Sequence, residues 1–426
     1  MTRMTVLSTL AFALCLAVAG CDPGLTLVPA GTGAATDTTG SGPDGTDTTV
    51  VVRGTLTVTA VVAGHDSALA AQLGWTTGVP GAEVRAFRLG QPELRGVTDA
   101  AAQVTFPSVL PGAYQISILR LLSEAERAAL GAEHADVDAL GGGGTATLVA
   151  PATGTAVSVR ATRRGTLVIS ENFPSTWLGS QSYRFGTFVE VYNNGSDTIF
   201  LDGKLFGFGP FFVTDRPENG RPCSLTQQWQ ADPDGLWTTR LWRFPGTGQQ
   251  YPLAPGEAAV VATDAVDHSL VDPRWPNLSN ARFEFVGSAD SDNPGAANMI
   301  QVGTPAFSDV LGHGPWFTGG SAIFIATNVD VATLPHVQPP GYVTSIPRIP
   351  RDSVLDVIVP LVTFGTFGYT PCEKIIHEVF DTGPWEIVGT SFMSIRRRWL
   401  GSALLRTGST LNDFEVIAAP TPGTVP

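Results

Sequence analysis

Phe188-Val189-Glu190-Val191-Tyr192-Asn193-Asn194-Gly195-Ser196-Asp197-Thr198-Ile199-Phe200-Leu201-Asp202-Gly203 decides the fold class. A run rich in β-branched and aromatic residues enters Asn-Asn-Gly-Ser-Asp, a strong turn signal, and a second such run follows. The spacing predicts a strand, a turn and a hairpin partner. The same pattern extends outward on both sides. Gly165 to Glu171 reads as a strand leading into a loop, and Ala258 to Ala262, after Pro255-Gly256, as a buried strand. Far upstream, Thr55 to Val62 alternates polar and apolar residues, as a half-buried strand does. With 48 Gly and 32 Pro in 426 residues, many short strands joined by turns are expected. The expected class is all-β: two β-sandwiches, a small one over residues 51–160 and an enlarged one over 161–420.

Within the first region, Gly78-Val79-Pro80-Gly81-Ala82-Glu83-Val84 is followed by Thr98-Asp99 and then by Phe106 and Leu110-Pro111-Gly112-Ala113-Tyr114. This order resembles the carboxypeptidase regulatory-like, prealbumin-type module, a spacer or binding unit without catalytic residues of its own. The sequence departs from that pattern at Ala100-Ala101-Ala102-Gln103, where the module carries a glycine-containing turn. Residues 121–144 interrupt the module. Ser123 and Glu126 have the spacing of a capping box, and Leu122, Ala125, Ala129 and Leu130 recur at near-helical spacing. A short helix carried in a loop is expected there, ended by Gly141 to Gly144.

In the second region, Ile169-Ser170-Glu171, Phe188 to Asn193, Leu201-Asp202-Gly203, Leu253 to Glu257 and Ser394-Ile395-Arg396 follow one another. These blocks resemble a lamin-tail-like β-sandwich. The longer pattern adds Asp290-Ser291-Asp292-Asn293-Pro294, Asn298-Met299, Ile349-Pro350 and Val354-Leu355-Asp356-Val357. It is similar to an uncharacterised group of bacterial lipoproteins, domain of unknown function family 4876. Long inserts at 205–250 and 303–345 would enlarge the sandwich.

The amino end fits an exported lipoprotein. Arg3 precedes an apolar segment from Val6 to Val18, too short to span a bilayer comfortably. Val18-Ala19-Gly20-Cys21 resembles a lipobox, which implies cleavage after residue 20 and lipid on Cys21. Residues 21–50, rich in Gly, Thr, Ala and Asp, cannot bury a core and are expected to be a flexible tether. The expected location is the cell envelope, at the outer rather than the inner membrane. Of four cysteines, Cys223 and Cys372 then remain, either bonded to each other or buried as separate thiols. In the chain-entropy model such a bond is worth roughly 5 kcal/mol at most.

Charge narrows the functional classes. The formal net charge is −13, which opposes binding to phosphate backbones, so no nucleic-acid partner is expected. No Gly-x-Ser-x-Gly elbow occurs. His377-Glu378 lacks the second histidine of a zincin, since Asp381 stands four residues after His377. Asp264-Ala265-Val266-Asp267-His268 is the densest acidic and histidine cluster, read first as a solvated loop with a satisfied histidine and second as a metal or acid–base site. Asp290 to Gly295 is read as a tight turn before a calcium loop. Neither a cofactor nor a catalytic residue is expected.

Aromatic residues supply the one hint of binding. Phe206, Phe208, Phe211, Phe212, Trp229, Trp237 and Trp242 crowd one Gly- and Pro-containing insert. They would either fill a second layer of the core or form an exposed surface for a partner or apolar ligand, with Trp229, Trp237 and Trp242 as its anchors. The expected function is non-enzymatic binding by a lipid-anchored envelope protein. The family resemblance implies an accessory to an outer-membrane TonB-dependent receptor. An adhesin or envelope scaffold is the first alternative, and a metal-dependent hydrolase the second.

Overall fold

The computed structural model describes residues 52–424 apart from positions 77, 89–90, 136, 164, 175, 179–180, 184, 210–231, 239, 286–291, 303–321, 338–344, 364–375, 378, 383–384, 389–391 and 401–402. The fold is all-β, with helices limited to short segments, the first α-helix among the described residues being α1 (Ser67–Gln72). Seven strands form a first sheet: β1 (Gly54–Val62), β2 (Glu83–Phe87), β3 (Leu94–Val97), β4 (Gln103–Val109), β5 (Gly112–Leu121), β6 (Val137–Leu148) and β7 (Ala152–Arg163), in the order β3-β2-β5-β6-β7-β1-β4. Its two edge strands curl toward each other. A Cβ on Gly96 of β3 would lie 2.5 Å from Val104 Cγ2 and 3.2 Å from the Phe106 ring, both on β4. Leu56, Val58, Val84, Tyr114, Ile116 and Ile118 fill the interior.

Two details of this sheet bear on the sequence expectations. The capping box forms: Ser123 caps α2 (Glu124–Ala129), and the Glu126 carboxylate accepts from the Ser123 amide at 2.7 Å. Gly141 to Gly144, however, ends no helix. All four lie inside β6, paired with Leu119 to Ile116 of β5. The reason is close approach. A Cβ on Gly142 would meet the Ser158 carbonyl at 2.2 Å, and one on Gly141 would meet Thr407 Cβ at 2.5 Å. At the glycine-lacking turn, Ala102 takes φ +61°, the left-handed conformation that a glycine there would adopt without strain.

Eleven strands form the larger sheet: β8 (Leu167–Phe173), β9 (Phe188–Asn193), β10 (Leu205–Phe208), β11 (Arg240–Arg243), β12 (Ala258–Ala262), β13 (Phe283–Phe285), β14 (Ala297–Gln301), β15 (Ile323–Ala326), β16 (Val354–Ile358), β17 (Ser394–Arg397) and β18 (Phe414–Ile417). Their order is β16-β15-β10-β11-β14-β13-β12-β9-β8-β17-β18. The sheet curls so that β16 returns to β8, where Asp356 accepts from the Ile169 amide at 2.8 Å. Ile169, Val191, Phe206, Trp242, Phe285 and Ile325 share the enclosed core.

The expected hairpin partner of Phe188 to Asn193 is not the one observed. Both edges of β9 are taken, by β8 and β12, and Ile199–Phe200 pairs instead with Pro252–Leu253. Asn193 produces the exit. Its side-chain oxygen accepts from the Gly195 amide at 3.0 Å, while its side-chain amide donates to the Asp197 and Leu253 carbonyls, each at 2.8 Å. The turn is real, but it sends the chain out of the sheet.

The two sheets meet through a four-residue turn of helix, α3 (Thr410–Asp413), just before β18. Asn412 donates to the Ile118 carbonyl at 2.9 Å and accepts from the Ser117 hydroxyl, both on β5. Arg85 of β2 donates to the Leu411 carbonyl at 3.0 Å. Residues 51–426 thus form one compact unit.

Candidate functional site

The outer face of β8, β9, β12 and β17 gathers the most unusual chemistry. Side chains alternate along a strand. Val189 and Val191 of β9 enter the enclosed core, so Phe188, Glu190 and Tyr192 point outward. Glu171 of β8 lies opposite Glu190 in register, and both carboxylates are almost wholly buried, at 1% and 2% exposure. A bulge at Ser170 makes this possible, because Glu190 pairs with Glu171 while Val191 pairs with Ile169.

Two buried carboxylates side by side need donors. Ser170 donates to Glu190 at 2.7 Å and Ser394 to Glu171 at 2.6 Å. The remaining donors come from the segment after β18. Thr421 gives Glu171 its amide at 2.9 Å and its hydroxyl at 2.5 Å, and the Gly423 amide reaches Glu190 at 2.6 Å. Among the described residues, none of the pair's hydrogen-bond partners is a cation. Burial pushes Glu190 up to about 7, and the neighbouring Glu171 charge adds to the rise, against the bonds from Ser170 and Gly423. Near neutral pH Glu190 is therefore partly protonated.

An aromatic zone adjoins the pair. Phe173 and Phe188, the next outward residues on β8 and β9, pack under Trp275, whose ring centroid lies 5.8 Å from that of Phe173. Tyr183 and Phe392 flank Trp275 at 4.5 and 5.1 Å. His268 sits here, buried rather than solvated. Its Nε2 lies 2.9 Å from the Asp264 carbonyl and its Nδ1 2.9 Å from the Tyr183 hydroxyl. A carbonyl only accepts, so Nε2 carries the proton and Nδ1 accepts from tyrosine. Burial lowers the His268 pKa, in keeping with a neutral ring, and burial together with the Asp264 charge raises that of Tyr183. The histidine is satisfied, as its first reading expected.

On the inner side of β17 lies a contrasting site. Arg397, 1% exposed, pairs with Asp356 at 2.6 Å and Asp413 at 3.0 Å. It also donates to the Ile169 and Leu405 carbonyls at 2.6 and 3.0 Å and lies over the Phe414 ring. Burial raises Asp413 to about 6 despite the pull of Arg397.

The expected binding anchors are not brought together. Trp242 belongs to the core, its ring 4.9 Å from that of Phe285, and Phe206 and Phe208 are buried beside it. The second-layer reading therefore holds for these three, and Trp242 is no surface anchor. Trp237 is half-buried. Its Nε1 donates to Asp232 at 3.1 Å, and the Arg348 guanidinium, itself paired with Asp232, lies 5.8 Å from the ring centre. Trp229, Phe211 and Phe212 lie outside the described residues, as do Cys21, Cys223 and Cys372.

The other motif acids act on the chain itself. Asp202 accepts from the amides of Gly248, Gln250 and Tyr251. Asp381, at the position a zincin would give to histidine, accepts from the Thr410 amide at 3.1 Å at the start of α3. Within Asp290 to Gly295, of which 290 and 291 lie outside the described residues, Asn293 accepts from the Gly295 amide at 2.9 Å, a turn-forming bond. Sequence reasoning quoted Glu171, Glu190 and Ser394 as parts of motifs but assigned them no joint role. The usable signal was a glutamate at an outward position of each of two strands otherwise lined by apolar residues.

No protein-family model matches the chain, and no curated protein matches it. Among solved structures, the crystal structure of a DUF4876 family protein from Bacteroides thetaiotaomicron VPI-5482 is similar over 88% of this chain and 98% of that one, with 18% identity and a TM-score of 0.48.

Proposed function

We propose that the chain is a lipid-anchored cell-envelope protein with a non-enzymatic binding role, held at the outer membrane through Cys21. The partner class is an outer-membrane receptor barrel of the TonB-dependent type, and the family is the DUF4876-like lipoprotein group. The lipobox Val18-Ala19-Gly20-Cys21 and the order of the sequence motifs support anchoring and family. One observation carries the non-enzymatic half. Among the described residues, side chains from the motifs weighed for chemistry make internal bonds: His268 with Tyr183 and the Asp264 carbonyl, Asp267 with Ser269, and Asp381 with Thr410. Groups held this way position strands rather than a reacting substrate.

Two experiments test this reading. Cys21→Ser is expected to move the protein from the membrane fraction to the soluble fraction, and retention at the membrane contradicts the anchor. Pull-down from detergent-solubilised outer membranes, identified by mass spectrometry, is expected to recover a receptor barrel with the unaltered protein and less of it with Trp237→Ala. Recovery of no barrel contradicts the partner class.

A further inference from the structure

Thr421-Pro422-Gly423-Thr424 closes a turn in which the Thr424 amide donates to the Thr421 carbonyl at 3.1 Å. Proline at the second position and glycine with φ +71° at the third are the signature of a type II turn. The turn aims two backbone amides at the carboxylate pair, Thr421 at Glu171 and Gly423 at Glu190. Its opposite side faces solvent, since Gly423 and Thr424 are exposed, and Ala418 and Ala419, which link it to β18, are exposed too. A short turn thus covers two buried acids, and hydrogen bonds to those acids hold it down.

We propose that residues 421–424 are a pH-released strap over the outer face of the large sheet: it stays down while Glu190 is protonated and lifts when Glu190 ionises beside Glu171. The charges around the pair favour this behaviour. Glu171 of β8 is the charge that faces Glu190. Arg396 of β17, in register with Glu171, gives its guanidinium to Glu415 of β18 at 3.0 Å. From β12 the group opposite Glu190 is apolar Val260, and the strap itself brings only neutral donors. With Glu190 protonated, no second charge is buried beside Glu171. With Glu190 ionised, two like charges lie side by side, a burial cost that outweighs the bonds from Ser170 and Gly423, and lifting the strap lets water reach both. Burial holds Glu190 at about 7, above its ordinary 4.5, so the release develops as pH rises between these values.

The test is hydrogen exchange on the full chain, read as protection factors corrected for the intrinsic pH dependence of exchange. Protection of the Thr421 and Gly423 amides is expected to fall roughly thirtyfold between pH 5.5 and 8.5, the change over that window when a glutamate at about 7 returns to its ordinary 4.5 on opening. Amides within β9 serve as the internal reference and are expected to keep their protection. In Glu190→Gln the fall should vanish, with the strap protected throughout. Glu171→Gln is the second arm: with the neighbouring charge gone and burial kept, the fall should move to lower pH, so one variant's failure to fold leaves the other to decide. A flat profile in the unaltered protein, a full fall in folded Glu190→Gln, or an unmoved fall in folded Glu171→Gln overturns the proposal. A fall shared by the β9 amides overturns it as well, because the whole sheet would then be opening.

Discussion

Arg397 and Glu190 lie on opposite faces of the same large sheet, and each is the centre of a buried acidic site. On the inner face, two aspartates meet Arg397, whose guanidinium also bonds two carbonyls, and Asp356 pairs with Arg406 as well, at 3.3 Å. On the outer face, two glutamates meet only hydroxyls and amides. The first site is offset by permanent charges on Arg397 and Arg406. The second has no such partner among its bonds and takes up a proton instead. Fixed cations hold back the rise of the inner acid, Asp413 reaching about 6, whereas Glu190 without one reaches about 7. The first locks β8, β16, β17 and β18 together, and the second meets solvent through one four-residue turn.

The largest expected effect lies on the inner face. Arg397→Ala leaves Asp413 buried without its cation, while Asp356 keeps only Arg406, and this costs about 3–5 kcal/mol. Denaturant unfolding should show that loss at pH 7, and a loss below 1 kcal/mol would erase the contrast between the sites.

On the outer face the effect depends on pH. Glu190 binds its proton more tightly folded than unfolded, so its contribution is fully present below about pH 4.5 and is lost as pH rises through about 7. Its share is on the order of 3 kcal/mol. Asp413, raised to about 6, tilts stability the same way. Stability of Glu190→Gln should therefore fall less steeply over this window than that of the unaltered protein. Equal slopes would show that Glu190 carries no extra proton in the folded protein.

A smaller effect is expected where the two sheets touch. Gly141→Val should cost about 1–3 kcal/mol by overpacking, because its Cβ would meet Thr407 at 2.5 Å. Smallest in stability is Trp237→Ala, expected to cost less than about 1 kcal/mol at a half-exposed site. A larger loss in thermal unfolding would place Trp237 among the core aromatics.

What the sequence disclosed follows from which forces are local. The all-β class was legible because alternation and turn residues act within a few positions. The capping box at Ser123 and Glu126 was legible for the same reason. Pairing was not: Ile199–Phe200 joins Pro252–Leu253 because β8 and β12 already occupy both edges of β9, and no local pattern encodes that. Gly141 to Gly144 misled because glycine ends helices and also admits a close neighbour, here Thr407 and Ser158 from distant segments. The outer site was half legible. Its glutamates stood in quoted motifs, but their meeting depends on the bulge at Ser170 and on a segment some 230 to 250 residues further along the chain.

The contrast rests on where the Glu190 proton is lost. Carbon NMR of carboxyl-labelled glutamate, assigned by comparison with Glu190→Gln, reads that midpoint in the folded protein. The expected result is a Glu190 resonance titrating near pH 7. A midpoint near 4.5, the ordinary glutamate value, would contradict the account.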